Sequence, residues 1–335
     1  TRLQGDWSSD VCSSDLLISH HPANAPMKSP LTGSLDCTLL DVLDVEQIAK
    51  RWHDELGIDW TPSLGFSEIQ YWQDLRTGLK FYTPAELAGG EDLYQQLQQL
   101  PWYYQADKWE FKRAVALLNA SLPDSAHTRL LEVGVGQGHF LELARSAAYQ
   151  VAGVELNPDA AQVAQSKGFE IFSHDLRQLH QHHSGAWDAL CAFQVLEHLA
   201  APGEFIADAL ELLRPGGYLI LSVPNSPVSR FLDPEQQNLL DQPPHHMSHW
   251  DVTVFRSLES LFPVRICAIE SEPLAEYHIG WFLSAVSSRS RARLPSFGSR
   301  LILNRYSLRL WEWLLMKGLR RFVRGHALVV CLQKL

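Results

Sequence analysis

The chain has 335 residues, of which 46% are hydrophobic, 10% aromatic and 20% charged. That profile excludes a disordered or fibrous protein and leaves room for one large domain with additions, or two modest ones. The formal charge of −10 argues against general affinity for nucleic acid, and no apolar run approaches the roughly 18 residues that a membrane-spanning helix needs.

Five cysteines (Cys12, Cys37, Cys191, Cys267 and Cys331) are scattered and never form a CxxC pair. No disulfide framework or zinc knuckle is expected, and a reducing cytoplasm is the natural setting. The opening stretch TRLQGDWSSDVCSSDLL has no cationic start, no adequate apolar core and no clean cleavage pattern, so it does not read as a targeting peptide. It resembles translated linker sequence. The natural chain is expected to begin near Met27, with residues 1–26 a non-native or disordered leader.

Residues 27–115 read as a cap region. In QYWQDLRTGLKFYTPAEL, alternating apolar residues flank a Thr77-Gly78 turn, the pattern of a β-hairpin. A helical stretch follows with Tyr103, Tyr104 and Trp109, which could cap a pocket or simply form the aromatic core of a lid.

From residue 116 to 273 strands and helices alternate. RLLEVGVGQGHFLELARSAA begins with an apolar strand, Leu130 to Val133, then a glycine turn at Gly134, Gly136 and Gly138, then a helix. Glycines let the backbone turn sharply and let a ligand approach, and the helix start offers free N–H groups. The spacing is G-x-G-x-G, not the G-x-G-x-x-G of dinucleotide sites. Glu132, two residues before the first glycine, suits an amine-bearing ligand better than a pyrophosphate. A second strand, Val151 to Val154, ends in Glu155, where an acid can accept both ribose hydroxyls of a nucleoside. FEIF and Asp175 follow, the acid standing either at an adenine amino group or as a helix N-cap. WDALCAFQVLEHL is a fourth strand, and after PGEFIADALELLRPGG comes a fifth, Tyr218 to Val223. Such alternation builds a parallel, doubly wound sheet with ligands at the C-terminal strand ends.

At this point the segments LLEVGVGQG, VAGVELN, SHDL, FQVLEHL and LRPGGYLILSVPN resemble, in order and spacing, the class I S-adenosylmethionine-dependent methyltransferases. The LEH and PGG pieces are most similar to the branch with ubiquinone-type and bacterial surface-sugar methyltransferases. The resemblance implies an α/β fold: a Rossmann-like, seven-stranded, mostly parallel sheet with an antiparallel last strand. A small N-terminal hairpin and helical lid, and a helical insertion before the last strand, would complete it. It also implies S-adenosylmethionine as cofactor. Glu132, Gly134, Gly136 and Gly138 would surround the methionine portion, Glu155 with Leu156 the ribose, Asp175 with Leu176 the adenine, and Gln194, Val195 and Leu196 the sulfonium. Some relatives carry a cysteine where this chain has Asp74, so a metal-bound knuckle is not expected in the hairpin.

Downstream, FPVRICAIESEPL reads as the sixth strand and GHALVVCLQKL, residues 325–335, as the seventh. Between them, residues 274–324 form a basic helical insertion: Arg289 to Arg324 holds ten basic residues against one acid, Glu312. LILNRYSLRLWEWLLMKGLRRFVRG can form a helix with a broad apolar face. Three roles fit residues 298–324: the solvated outer face of a lid, a membrane-surface helix that meets a lipid-linked substrate, or a dimer contact. The second would place the protein peripherally at the inner face of the membrane.

DQPPHHMSHWD places three histidines within five residues. Pro243 and Pro244 suit the approach to a helix, on whose face His245 and His249 would stand four apart. No cysteine lies nearby and no distant ligand pair is marked by spacing, so no metal site is expected. Related methyltransferases show PPHH, a gap and Trp, which matches His245, His246 and Trp250 and leaves His249 incidental. His245 or His246 would be a general base or would orient substrate, with His198 a rival across the cleft. The expected activity is methyl transfer to a hydroxyl oxygen of a small, glycan- or lipid-linked acceptor, without nucleic-acid partners. The alternative is a catalytically silent methyltransferase-like module that binds cofactor and partners.

Overall fold

Apolar runs with no polar alternation, such as Leu130–Leu131 and Leu219–Leu221, belong to strands covered on both faces. The computed structural model bears this out; it describes residues 27–61, 65–100, 103, 105–293 and 304–335, without the side chains of 291–293 and Arg305. The leader 1–26, Tyr104, Arg300 and the side chains of Arg291, Arg293 and Arg305 lie outside the described residues.

The larger sheet has seven strands: β4 (Arg129–Val133), β5 (Gln150–Val154), β6 (Glu170–Phe172), β7 (Trp187–Phe193), β8 (Leu213–Pro224), β10 (Val264–Pro273) and β11 (Arg324–Lys334). Their order is β10-β11-β8-β7-β4-β5-β6. Strands β4 to β8 pair in parallel, and β11 runs antiparallel between β8 and β10. This is the Rossmann-like, mostly parallel sheet with an antiparallel last strand.

Because side chains alternate along a strand, each strand serves two cores. Leu131 and Val133 of β4, Leu190 of β7 and Leu221 of β8 pack against α6 (Leu176–His183), α7 (Pro202–Leu212) and α9 (Val252–Leu261). Leu130, Cys191 and Ile220 face the other way, onto α3 (Trp109–Ser121) and α4 (His139–Ser146), where Phe111, Phe140 and Phe193 form an aromatic cluster. A boundary at 115/116 would run through the single helix α3, whose Phe111 and Leu118 share that core. The remaining core helix is α5 (Pro158–Ser166).

The N-terminal hairpin is part of a larger element. β2 (Glu68–Asp74) and β3 (Lys80–Thr83) pair about Thr77-Gly78, but β1 (Cys37–Asp44) adds to one edge and β9 (Ser248–His249) to the other. β1 was not foreseen, since CTLLDVLD leaves Leu39, Leu40 and Val42 exposed and lacks clean alternation. α1 (Val45–Leu56) and α2 (Glu91–Leu97) cover this sheet with Trp52, Ile48, Leu93 and Leu97. Asp44 caps α1 by accepting from Gln47 N–H at 2.7 Å, and Gly57 ends it with a φ of 67°.

The expectation of a helix approached by Pro243 and Pro244 is corrected: residues 242–247 form turns that lead into β9, and the next helix, α9, begins at Val252. His245 and His249 therefore share no helical face. The basic insertion also differs from its expected form. It contains α10 (Ile279–Arg293) and α11 (Arg305–Met316), which pack against each other, and α10 also packs against α8 (Ser226–Leu232). Among the described side chains of α11 only Leu315 is buried, in a small cluster with Leu274 and Ile279, whereas Leu310, Trp311, Trp313 and Met316 stand exposed. Among the described residues no helix is long and apolar enough to cross a membrane.

Asp74 ties the hairpin to the segment that precedes β1. It is fully buried, accepts from Thr32 Oγ1 at 2.8 Å and Arg76 N–H at 2.8 Å, and closes the hairpin turn. Burial pushes its carboxyl pKa up, but hydrogen bonds from Ser29, Thr32, Arg76 and Thr77 more than reverse this and hold it below the usual range. A depressed carboxylate pKa contributes stability above the unfolded value near 3.9, and that contribution is lost as pH falls through the folded value. Asp74→Ala should destabilise the protein by about 1–3 kcal/mol near neutral pH, read as a lower denaturant midpoint, because several donors lose one acceptor. The gap from the parental protein should narrow in acid.

Candidate functional site

The C-terminal ends of β4, β5 and β7 open into a cavity of about 1300 Å³. Its first wall begins at Glu132. Alternation along β4 turns this carboxyl to the α3/α4 face, where it is 2% exposed and its Oε2 has no hydrogen-bond partner. Burial, then the nearby Glu155 charge, push its pKa well above the ordinary range. A buried carboxyl oxygen without a donor is costly, and an ammonium-bearing ligand in the cavity would satisfy it.

The strand must then leave the sheet sharply. Gly134 sits at a φ of 75°, and a Cβ there would stand 2.6 Å from Val195 Cγ2. The turn brings Gly136 N–H to Glu155 Oε2 at 2.7 Å, while Asn157 N–H donates to Oε1 at 2.8 Å. The Glu155 carboxylate is thus fixed at the tip of β5 with lone pairs to spare for a diol. Leu156, 63% exposed, lies on the cavity rim. Asp175 is the N-cap of α6, its Oδ1 accepting from Gln178 N–H at 2.8 Å, and with Leu176 it lines the cavity. Gln194 and Val195 form the floor. Gln194 adopts a φ of 55° and anchors its side chain on Ser222 Oγ at 2.9 Å, a strained backbone at a ligand-facing position.

Two expected residues do not face this space. Gly138 is buried as the N-cap of α4, where a Cβ would meet Phe169 at 3.4 Å and Ala164 at 3.5 Å; its place is helix packing. Leu196 turns into the hydrophobic core behind the wall.

The opposite wall carries the histidines. His198, in a short turn after β7, directs Nδ1 to the carbonyl of His245 at 2.6 Å. His245 directs its own Nδ1 to Leu240 O at 2.9 Å, and its Nε2 lies 3.3 Å from the Tyr103 hydroxyl. The rings of His198, His245 and His246 stand 4.4–4.9 Å apart, so residues 47 positions distant in the chain form one group. Burial, then neighbouring imidazoles, lower the His198 pKa to about 3 and hold His245 well below the ordinary value. His249 takes no part. It bridges Tyr71 Oη at 2.6 Å and Asp241 O at 2.8 Å within the cap sheet.

Several lining residues escaped the sequence. Glu197 is 1% exposed with both carboxyl oxygens unpartnered, and burial raises its pKa to about 7. Tyr94 of α2 stacks edge-on against His198, beside Tyr103 and Trp109, two of the aromatics the sequence offered as pocket caps. Glu110, Glu272, His326 and Arg320 form a third side beneath the insertion. Burial, then Glu110, raise the Glu272 pKa to about 7. Glu110 could have been suspected from its place beside Trp109 at the head of a helix in front of the glycine turn.

A methyltransferase-domain family model matches residues 106–335, more than half of the chain. Among curated relatives, a ubiquinone biosynthesis O-methyltransferase of Xanthomonas oryzae pv. oryzae is 32% identical over 114 residues, covering 32% of this chain and 48% of that protein. One of the same name from Caulobacter sp. is 33% identical over 103 residues, 29% of this chain and 41% of that protein. The matched stretch thus spans about half the length of these relatives or less. Among solved structures, the 1,6-didemethyltoxoflavin-N1-methyltransferase of Burkholderia thailandensis is similar at 16% identity and a TM-score of 0.46, over 72% of this chain and 85% of that one. With the sheet order, the glycine turn and the orphaned Glu132 oxygen, the family match gives one conclusion: the chain belongs to the class I S-adenosylmethionine-dependent methyltransferases.

Proposed function

We propose that the chain transfers a methyl group from S-adenosylmethionine to a hydroxyl oxygen of an acceptor bound against His198, His245 and His246. One observation carries this reading: the same cavity opens at one end onto Glu132 and Glu155 and at the other onto the three histidines. The O-methyltransferase names of the distant relatives support oxygen as the receiving atom.

When bound, the cofactor supplies an electrophilic methyl on a sulfonium. Glu132 would hold its ammonium, the backbone at Gly134 and Gly136 would admit it closely, Glu155 would bind the ribose hydroxyls, and Asp175 with Leu176 would meet the adenine. Gln194 and Val195 close the sulfonium side. The histidine wall holds the acceptor oxygen in line with the methyl–sulfur bond, and positioning supplies much of the acceleration. An imidazole of this wall, or solvent, would take the proton that the acceptor hydroxyl must lose.

The acceptor class is proposed to be apolar or lipid-linked. The support is the insertion, where Tyr306, Leu310, Trp311, Trp313, Met316 and Phe322 stand exposed beside the exposed Arg309, Lys317, Arg321 and Arg324. Tyr277 and Arg320 connect this surface to the cavity. Aromatic side chains next to cations suit an anionic bilayer surface.

Three outcomes check these statements. Glu155→Ala should weaken S-adenosylhomocysteine binding at least tenfold by calorimetry, with the fold retained by circular dichroism; unchanged binding would overturn the cofactor assignment. In an acceptor screen, His198→Ala and His245→Ala should each lower kcat by roughly 10²–10⁴ while leaving S-adenosylhomocysteine affinity intact. Binding without turnover on any hydroxylated acceptor would favour the silent-module alternative. In sedimentation with vesicles, the protein should bind those with anionic phospholipid and not neutral ones. The double variant Trp311→Ser/Trp313→Ser should lose that binding; equal partition into both vesicle types would sink the membrane reading.

A further inference from the structure

Three imidazoles meet at one point of the cavity, and the way they are held says more than their proximity. The candidate ligand atoms of His198, His245 and His246 all lie within 4.8 Å of one another. His198 and His245 each spend Nδ1 on a backbone carbonyl, at 2.6 and 2.9 Å. A carbonyl only accepts, so that nitrogen carries the proton and Nε2 keeps its lone pair. His246 Nδ1 stands 3.3 Å from Asp241 Oδ1, a carboxylate behind the ring, although without good hydrogen-bond geometry. Imidazoles backed by carbonyl or carboxylate acceptors are the arrangement that orients metal-ligating histidines.

A second observation is independent of the rings. Glu197, next to His198 in the chain, is 1% exposed, and neither of its oxygens has a hydrogen-bond partner. Its Oε1 lies 3.9 Å from His198 Nε2. A buried carboxyl with no donor is costly, and a cation among the three imidazoles would satisfy it.

We propose that His198, His245 and His246 hold a divalent transition-metal ion of the zinc class, with Glu197 as the adjoining carboxylate and an open position toward the cavity. Neutral imidazole suits zinc, cobalt, nickel and copper, and discriminates against magnesium and calcium, which take oxygen ligands. With Zn–N bonds of about 2.0–2.1 Å, tetrahedral nitrogens stand about 3.4 Å apart, so the rings draw together on binding and His245 exchanges its Tyr103 contact for the ion. The open position receives the acceptor oxygen. This rests on the methyltransferase reading for what occupies that position, but the ion site stands on this chain's own residues.

The full-length protein, stripped with a chelator, is titrated with Co2+ and followed by its visible ligand-field bands, with S-adenosylhomocysteine titrated calorimetrically in the same samples. One equivalent should bind and give tetrahedral-type bands, which Zn2+ displaces. His198→Gln and His246→Gln should each weaken Co2+ binding at least a hundredfold while S-adenosylhomocysteine affinity changes less than threefold. Absence of a one-equivalent site in the parental protein, or equal binding by the variants, overturns the inference. Should a variant lose its fold, X-ray absorption of the zinc-loaded parental protein decides: three imidazole ligands are expected, and one or none refutes the site. Metal binding without S-adenosylhomocysteine binding would instead sink the methyltransferase reading and leave the ion site standing.

Discussion

Two hydrogen bonds join the turn after β7 to the loop that follows α8. His198 Nδ1 donates to the carbonyl of His245 at 2.6 Å, and Met247 N–H donates to the carbonyl of Glu197 at 2.8 Å. This clasp converts two remote stretches of chain into one wall. Without it, the paired histidines would hang on a loop of surface turns, and the cavity would have a cofactor side but no opposing face. The clasp is itself held from behind: Trp52 Nε1 donates to Pro243 O, Gly89 N–H donates to Pro244 O, and Tyr82 N–H donates to Met247 O. The small N-terminal sheet therefore serves the site by gripping a loop of the larger domain.

Local rules reach the half of the site that is local. The turn through Gly134 and Gly136 needs glycine for backbone reasons that any strand-to-helix turn next to a ligand shares, and Glu132 and Glu155 are defined by their distance from strand ends. Gly138 packs against Ala164 of α5 and Phe169 instead, an outcome that motif spacing does not distinguish from ligand contact. The histidine wall was less legible. The i, i+4 spacing of His245 and His249 pointed to a helical face, whereas the chain turns at Pro243-Pro244 and then runs extended, which sends His249 into the cap sheet. Glu197 drew no role from the sequence. Its isolation depends on walls contributed by segments far along the chain, and no window on the sequence contains them.

The insertion illustrates a second limit. Its apolar and basic residues were plain in the sequence, but which of them would be covered depends on the depth of the groove into which α11 settles. Leu315 fills that groove almost alone. Hydrophobic periodicity predicts that a helix has an apolar face; it does not predict that a partner within the same chain is large enough to cover it.

The pairing of β3 with β9 has a consequence for how this chain acquires its structure. Phe81 meets Ser248, so the cap sheet closes only with a strand made from the second half of the polypeptide. During synthesis from the N-terminus, β2 and β3 emerge long before their last neighbour, and the edge of β3 waits unpaired while the parallel sheet is assembled between them. Loop closure over such a span is entropically slow, and it welds the two sheets into one cooperative unit. The loop that carries His245 and His246 is held against the cap sheet by that same pairing.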